Sequence, residues 1–269
     1  MNRVHSLLCS GLICLVTLVG NNGCASVRQA LGQQLVSVET EVELGQKMAL
    51  QIEAENTVMR DAQLQRYVRH LMQPLIDQAW GDRPGIDYRI TVLDDPTQVN
   101  AFALPGGPMY VYTGLLALAE DEAELAGVLA HELGHVVARH SANRLGTQFG
   151  VQLLMGVTLG EAPEELAQMV ADAAGAGAMA RFSRDDERQA DGYGVKYTIA
   201  AGYDPAGLMS LFEKIGRLGG GKGDSLERFM ASHPATDERI KRIQKQISRE
   251  PSAGVRNGPR YQEMTAGLH

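Results

Sequence analysis

The sequence predicts an α+β fold in which helices predominate. Long stretches repeat apolar residues at helical spacing, whereas two short runs near 86–93 and 108–112 are rich in β-prone residues. Aromatic residues form only 5% of the 269-residue chain, while Ala, Leu, Val and Gly abound, which favours close packing of helices. The 44% hydrophobic content is enough for one domain with its own core, and we place this domain at residues 40–249.

Residues 1–24 have the composition of a secretory signal. The apolar run from Leu7 to Val19 is too short for a comfortable membrane-spanning helix. Gly23 to Ser26 resembles the cleavage site of a bacterial lipoprotein, which would leave Cys24 as the lipidated first residue. Ordinary signal cleavage after Ala25 is the alternative. We prefer the lipoprotein interpretation, in which the lipid attaches the protein to a membrane.

Residues 39–80 are predicted to form two long helices, and the two β-prone runs follow them. A Pro/Gly-rich turn at 105–108 separates these runs. The edge strand of a small sheet can pair with an extended polypeptide through backbone hydrogen bonds. We therefore expect one strand of this sheet to be such an edge strand.

The stretch His131-Glu132-Leu133-Gly134-His135 places two histidines four residues apart in a strongly helical segment. Residues at this spacing share one helix face, so both imidazoles can bind one ion, and zinc prefers such ligands. Glu132 lies beside them, where a carboxylate can take a proton from water. Gly134 is expected where another segment packs closely. The HExxH motif thus predicts one zinc ion per chain and hydrolysis of peptide bonds.

A catalytic zinc ion needs a third protein ligand and one open position. The motif with a distant third histidine, HExxHxxGxxH, does not fit, because Ser141 takes the histidine position and His140 lies one residue early. A glutamate from a later helix is the alternative. Three glutamates after Gly160 resemble first-turn acids more than ligands: Glu161, Glu164 and Glu165.

Glu187 is the better candidate for the third ligand. It lies four residues before Asp191 on a second predicted helix, so the two carboxylates share a face. Glu187 would bind the metal, and Asp191 would accept the free ring N–H of a zinc-bound histidine. The other charged residues of 184–191 are expected to form a solvated face.

The remaining segments are predicted from composition and from the positions of Gly and Pro. Residues 141–180 are expected to form helices that flank the cleft, and the apolar run 149–159 is too short to span a bilayer. The rest of the chain is predicted, in order, as a helix from Asp204-Pro205 to about 218, a glycine-rich loop at 219–224, a helix at about 236–249 and a tail at 250–269.

Together these motifs resemble the HtpX/CAAX-protease family of zinc metallopeptidases, peptidase family M48. HELGH at 131–135 and SRDDERQAD at 183–191 match its two central motifs. Asn100 to Tyr112 is similar to the segment that leads to its active-site helix, and Ser232-His233-Pro234 with Arg239-Ile240 is similar to its C-terminal motif. The resemblance covers residues 40–248 and implies a zincin fold of the gluzincin type.

The resemblance implies endopeptidase activity, with zinc bound by His131, His135 and Glu187 and with Glu132 as the general base. It also implies substrate contact along a strand that contains Asn100, Ala101 and Phe102, for which an ordinary loop is the alternative.

Two residues of the C-terminal motif have open roles. His233 precedes Pro234 in an extended or turn conformation. It is a candidate for stabilising the oxyanion or for occupying the open zinc position in a latent state, and a plain polar role is the alternative. Arg239 is a candidate for binding the oxyanion or a carboxylate, and a plain surface charge is equally consistent with the sequence.

Charge and cysteine content exclude several classes. The formal net charge of −7 argues against nucleic-acid binding, and no basic cluster in the sequence suggests electrostatic attraction to a membrane. All three cysteines lie in the predicted signal: Cys9, Cys14 and Cys24. An intrachain disulfide or a thiolate metal site is therefore excluded in the mature body, and zinc must be bound by nitrogen and oxygen ligands.

We expect a zinc endopeptidase of the bacterial cell envelope, located in the periplasm and lipid-anchored to a membrane, with the outer membrane preferred. The expected substrates are unfolded or misassembled polypeptides, and outer-membrane assembly machinery is an expected partner. The alternative is a largely latent protease that acts as a chaperone-like or assembly factor for outer-membrane proteins. A zinc-storage protein would give Glu132 no purpose.

Overall fold

The structure, a computed structural model, describes residues 36–146, 182–218, 229, 232–234, 236–249 and 254–268. Several predictions concern residues outside this part: the signal with Cys24, the helices within 147–180, the three glutamates after Gly160 and the glycine-rich segment 219–224. Within the described residues the fold is mainly helical with one small sheet, as the sequence predicts.

Two long helices open the described chain. Helix α1 is Val38–Glu55, and its N-cap Ser37 accepts a hydrogen bond from the Thr40 amide. Helix α2 is Ala62–Asp82, capped by Asp61. Side-chain capping satisfies amides that have no partner within the helix. Both helices bury one face, and they match the helices predicted within 39–80. Among the described helices, none combines the length and the apolarity that crossing a bilayer would demand.

The sheet contains β1 (Arg89–Leu93), β2 (Ala101–Ala103) and β3 (Pro108–Tyr112), in the order β1-β3-β2. Strand β3 is parallel to β1 and antiparallel to β2. The Pro/Gly-rich turn therefore closes a β2–β3 hairpin and does not simply separate the two predicted strands. Gly106 and Gly107 have φ values of 72° and 117°, which other residues rarely adopt. Among the described strands, β2 is an edge strand of the sheet.

Helix α3 (Thr113–Leu118) leads into α4 (Glu122–Val137), which carries the HExxH motif at the centre of the main hydrophobic core. Helix α5 (Arg184–Ala200) packs most extensively against α4, and α6 (Ala206–Leu218) and α2 also contact it. Strand β2 runs beside α4 as well. On the other face of the sheet, α1 packs on a second core cluster that includes the rings of Phe102, Tyr110 and Tyr112.

The C-terminal segment belongs to the folded body, unlike the tail predicted at 250–269. After α7 (Asp237–Ile247), the chain forms α8 (Gly258–Thr265) and a short 3₁₀ helix (Ala266–Leu268). Tyr261 is fully buried and donates a hydrogen bond to the Leu116 carbonyl at 2.7 Å. Arg256 binds the N-cap of α4 through its side chain, 2.7 Å from Asp121 Oδ2. Helix α8 spans only eight residues, so its apolar pattern in the sequence is short.

Buried Glu41 joins α1 to three other parts of the fold. Its carboxylate accepts hydrogen bonds from two Arg83 nitrogens at 3.1 and 2.7 Å, from Arg139 Nε at 2.8 Å and from the Gly106 amide at 3.2 Å. Arg83 also donates to the Val136 carbonyl at 2.6 Å, at the end of α4. This Glu41 cluster ties the N-terminal helix to the C-terminal end of the HExxH helix.

Candidate metal centre

Helix α4 holds the HExxH side chains in the protein interior. Asp121 accepts a hydrogen bond from the Glu124 amide at 2.9 Å and so caps the helix at its start. His131, Glu132 and His135 are each only 1% exposed. Polar groups at this depth need partners, because unpaired burial is costly. The surroundings of these three side chains therefore decide what the site can do.

Helix α5 brings two carboxylates to the same place. Its N-cap Ser183 and Asp186 form a reciprocal capping box, which fixes where the helix begins. Glu187 lies one turn after Ser183 and Asp191 lies one turn after Glu187, and both side chains are buried. The approach depends on Gly134, because a Cβ there would lie 2.9 Å from Tyr193 Cβ and 3.0 Å from Ala190 Cα. The close packing expected at Gly134 is therefore present.

Four side chains converge to form the donor cluster: His131, His135, Glu187 and His233. His131 Nε2 lies 3.1 Å from His135 Nε2 and 3.3 Å from His233 Nδ1. Glu187 Oε1 lies 3.0 Å from His233 Nδ1 and 3.4 Å from His135 Nε2. Three separate segments of the chain therefore direct donor atoms at one point.

This donor set fits a zinc ion. Ligand atoms in a tetrahedral zinc shell with bonds of about 2.0–2.1 Å lie roughly 3.3–3.4 Å apart. The four separations given above range from 3.0 to 3.4 Å. Burial lowers the pKa of His135 well below its usual value, so its ring stays neutral, which is the form that binds metals. Nitrogen and carboxylate donors together are typical of catalytic zinc.

Glu187 stays ionised despite its burial. Burial alone would raise the pKa of this carboxyl, but the charge of His233 and hydrogen bonds from His135 and His233 overcome that effect and lower it. An ionised carboxylate is the state that a metal requires of a glutamate ligand.

Glu132 lies beside the donor cluster. Its Oε1 atom has no hydrogen-bond partner among the described residues, and His233 Nε2 lies 3.5 Å away. Burial raises the pKa of Glu132, and the nearby His233 and His131 offset part of that rise. A buried carboxyl group with a raised pKa, and with one oxygen that has no hydrogen-bond partner among the described residues, suits proton transfer.

The ring nitrogen of His131 that faces away from the donor cluster contacts a carboxylate, and this carboxylate is bound to an arginine. His131 Nδ1 lies 3.2 Å from Asp191 Oδ1. Arg239 Nε and Nη2 bind Asp191 at 2.7 to 3.0 Å, and Arg239 Nη1 lies 2.6 Å from Glu187 Oε2. Arg239 is 3% exposed and packs over the Phe212 ring. The structure therefore directs Arg239 at two carboxylates of the site.

His140 is the residue at this site to which the sequence assigns no role. Its Nδ1 lies 2.9 Å from His135 Nδ1, and its Nε2 lies 3.2 Å from Gln189 Oε1. A non-glycine residue with positive φ, Arg139 at 61°, turns the chain so that His140 folds back onto the motif. A further histidine soon after HExxH is the only signal in the sequence, and it does not reveal this turn.

Two residues of the predicted substrate strand, Ala101 and Phe102, lie on β2, and Asn100 directly precedes this strand. Asn100 accepts through its carbonyl from the Tyr112 amide at 3.0 Å, and the Phe102 ring stacks on Tyr110 in the core. Hydrogen bonds to a neighbouring strand alternate along an antiparallel strand. By this alternation, the backbone groups of Ala101 and Ala103 point to the outer edge of β2, on the side away from β3.

Comparison with known proteins supports a single family. The family model for peptidase family M48 matches residues 59–247. The mitochondrial metalloendopeptidase OMA1 of Arabidopsis thaliana is 33% identical over 183 residues, covering 68% of this chain and 35% of that protein. OMA1 of Schizosaccharomyces pombe is 34% identical over 192 residues, covering 69% of this chain and 55% of that protein.

Bacterial relatives are also similar. The metalloprotease YcaL of Escherichia coli is 31% identical over 166 residues, covering 61% of this chain and 63% of that protein. The chain spans 35% and 55% of the length of the two OMA1 proteins. The family match nevertheless extends over most of the chain, from the start of α2 to the end of α7. This chain therefore belongs to peptidase family M48.

Proposed function

We propose that this chain is a zinc-dependent endopeptidase that hydrolyses peptide bonds in misfolded or misassembled proteins of the cell envelope. The observation that carries the proposal is the Glu132 carboxylate oxygen, which has no hydrogen-bond partner among the described residues and lies next to a buried His-His-Glu donor set. This combination favours hydrolysis over metal storage, because storage has no use for a buried base.

In the proposed mechanism, His131, His135 and Glu187 hold the zinc ion. A bound zinc ion supplies Lewis acidity, which polarises the scissile carbonyl and makes water more acidic. Glu132 takes the proton from the attacking water and passes it to the leaving amine. Asp191 and Arg239 keep the His131 ring oriented, because the ring N–H faces a carboxylate that the guanidinium fixes in place.

The substrate is proposed to bind as an extended strand along β2. The backbone N–H and C=O groups of Ala101 and Ala103 face away from β3, and β2 runs beside the helix that carries Glu132. Both residues are buried, so a substrate strand reaches them only after the residues that cover this edge move aside. Backbone pairing of this kind gives affinity with little dependence on substrate sequence. It therefore suits an enzyme that acts on unfolded polypeptides.

The proposal is tested by replacing the base. We expect Glu132→Gln to keep its metal and to lose at least about 100-fold in the cleavage of unfolded casein, because proton transfer is removed. Metal content and casein cleavage are measured on the same sample. Glu263→Gln, on the exposed face of α8, is the matched control. Full activity of Glu132→Gln would remove this carboxylate from the mechanism.

A second candidate function is favoured by the position of His233. In the neutral form of the ring, its Nδ1 atom would complete the four-donor cluster and occupy the place that a substrate or water needs. In this alternative the protease is largely latent and serves as a chaperone-like or assembly factor for outer-membrane proteins. His233→Ala would then raise casein cleavage, whereas under the first function, with His233 as an oxyanion stabiliser, it would lower it.

The proposed location is the periplasmic side of the bacterial envelope, with a lipid on Cys24 and the outer membrane preferred. A relative of Escherichia coli that is 25% identical over 189 residues is named beta-barrel assembly-enhancing protease, which supports an envelope role and outer-membrane assembly machinery as a partner. Mass spectrometry of the mature N-terminus tests this location. A mature protein that begins with lipidated Cys24 supports this location. A mature protein that begins with unmodified residue 26 would show ordinary signal cleavage and no lipid anchor.

A further inference from the structure

A cavity of about 490 Å³ opens beside the donor cluster. Glu187, Arg239 and Phe182 line it, and Phe182 stacks on the His135 ring with 3.9 Å between ring centroids. Three further arginines contribute to its wall: Arg184, Arg188 and Arg242. A group that enters this cavity therefore lies against residues that contact the proposed zinc ligands.

Arginines outnumber carboxylates in the lining of this cavity, although Asp185 and Asp191 beside it pair with Arg188 and Arg239. Its lining contains four arginines and two carboxylates, Glu187 and Glu238, in a protein with a formal net charge of −7. Glu187 already lies 2.6 Å from Arg239 Nη1 and belongs to the donor cluster. The sequence contains no basic run here, because the arginines come from two helices that only the fold brings together.

The remaining arginines are not neutralised strongly. Arg188 pairs with Asp185, and Arg242 pairs with Glu238 at 3.1 Å. In each pair the two residues are about one helical turn apart, and the acidic partner is exposed. Such pairs are weak and are screened by salt. Arg184 has no ion pair with any residue in the part of the chain that the structure describes. Helices α5 and α7 both begin at this cavity, where their N-terminal amides add positive potential. Each first turn also carries acidic residues that offset part of it: Asp185, Asp186 and Glu187 on α5, and Asp237 and Glu238 on α7.

We infer that this cavity is a subsite for an acidic side chain of the polypeptide substrate, near the scissile bond. The inference rests on the proposed endopeptidase function and narrows its substrate class to chains with Asp or Glu at one position beside the cleavage point. Guanidinium groups present paired N–H donors that match a carboxylate, so arginines suit this ligand better than other cations would.

An anionic lipid headgroup is an alternative negatively charged ligand for this cavity. The geometry favours the polypeptide, because the cavity is recessed and its inner wall is formed by Glu187 and Arg239 of the metal centre. A ligand in this cavity therefore lies next to the position of the scissile bond. Binding to a membrane surface would instead require a flat or protruding basic face on the protein.

The test uses two fluorogenic peptides that differ only by Glu or Gln at one position, with the position scanned across the cleavage point. We expect the wild-type protein to cleave the best Glu peptide with about tenfold higher kcat/KM than its Gln partner, through electrostatic attraction. In the triple variant Arg184→Gln, Arg188→Gln, Arg242→Gln this ratio is expected to fall toward one. Arg217→Gln, an exposed arginine on α6, should leave the ratio unchanged.

Binding of the same peptides to the Glu132→Gln protein, followed by fluorescence anisotropy, separates this inference from the proposed activity. A Glu preference in binding that the triple substitution removes supports the subsite even if turnover is absent. Equal binding and cleavage of the two peptides at every position would overturn it. So would a triple variant that keeps the Glu preference, or one that loses only its binding to phosphatidylglycerol vesicles.

Discussion

The two histidines of the HExxH motif have different partners behind their rings. His131 Nδ1 faces the ionised Asp191, whereas His135 Nδ1 faces the neutral ring of His140. A histidine that binds zinc through Nε2 carries its proton on Nδ1 and needs an acceptor there. His140 must then accept on Nδ1 and donate from Nε2 to Gln189 Oε1. Burial lowers the pKa of His140, which keeps the ring neutral and able to accept.

His140 should therefore affect zinc affinity through the orientation of His135. We expect His140→Leu to weaken zinc binding by about 10- to 100-fold. His140→Asn should restore most of the affinity, because its amide oxygen can accept near the position of Nδ1. The measurement is competition with a chromophoric chelator in the Glu132→Gln background, together with the visible spectrum of the cobalt-substituted protein.

The exposed His70→Leu is the control for histidine replacement. Unchanged affinity and an unchanged cobalt spectrum in a folded His140→Leu protein would contradict the role of His140.

At the residue scale, the sequence predicts contacts that helix spacing alone determines. His131 and His135 share a face, as do Glu187 and Asp191, because each pair is four residues apart. The direction of Arg239 and the turn at Arg139 depend on contacts between distant segments, and local patterns do not contain that information.

At the element scale, the distance between α4 and α5 is set by Gly134. A Cβ at this position would meet Tyr193 Cβ at 2.9 Å and Ala190 Cα at 3.0 Å. We expect Gly134→Ala to destabilise the fold by about 1–3 kcal/mol, because the two helices must separate. Thermal unfolding followed by circular dichroism measures the loss.

Gly192→Ala is the matched control. Gly192 lies on α5, and a Cβ at this position would have no heavy atom within 4 Å. This change should stabilise α5 by about 0.5–1 kcal/mol. Equal Tm values for the two variants would refute the close-approach argument.

Helix α8 should contribute strongly to stability. Tyr261→Ala removes a fully buried ring and should cost about 3–5 kcal/mol in the free energy of unfolding. Tyr261→Phe removes only the hydrogen bond to the Leu116 carbonyl and should cost about 1 kcal/mol. Urea titration distinguishes the two costs. A Tyr261→Ala protein as stable as the wild type would mean that this segment is dispensable.

Short elements escape prediction for a physical reason. Strand β2 has three residues and α8 has eight, so neither displays enough periods of apolar alternation to be distinguished from a loop. The longer α1, α2, α4 and α5 are predicted because their apolar or motif residues repeat over several turns. The parallel pairing of β1 with β3 also depends on the inserted β2, whose residues only the family resemblance indicates as a strand.

At the scale of the whole molecule, three segments meet at the donor cluster: α4, α5 and the segment around His233. An ion bound there would connect them only in the folded state, and a ligand of the native state raises stability. At a free zinc concentration of about 100 times Kd the gain is about 2.7 kcal/mol. We expect a Tm increase of about 5–10 °C for a domain of this size.

This increase is measured by thermal unfolding of the chelated protein with and without added zinc. The variant His131→Ala, His135→Ala should show none of it, because two of the donors are gone. A similar increase in both proteins would place the stabilising ion elsewhere.

The Glu41 cluster makes the N-terminal helix difficult to exchange between homologous chains. A hybrid with a neutral residue at this position would leave Arg83 and Arg139 without their shared counter-charge, at a cost of about 3–5 kcal/mol. An exchange of α1 that removes the Glu41 carboxylate is therefore expected to destabilise the fold, and replacing Arg83 and Arg139 by neutral residues at the same time should recover part of the loss.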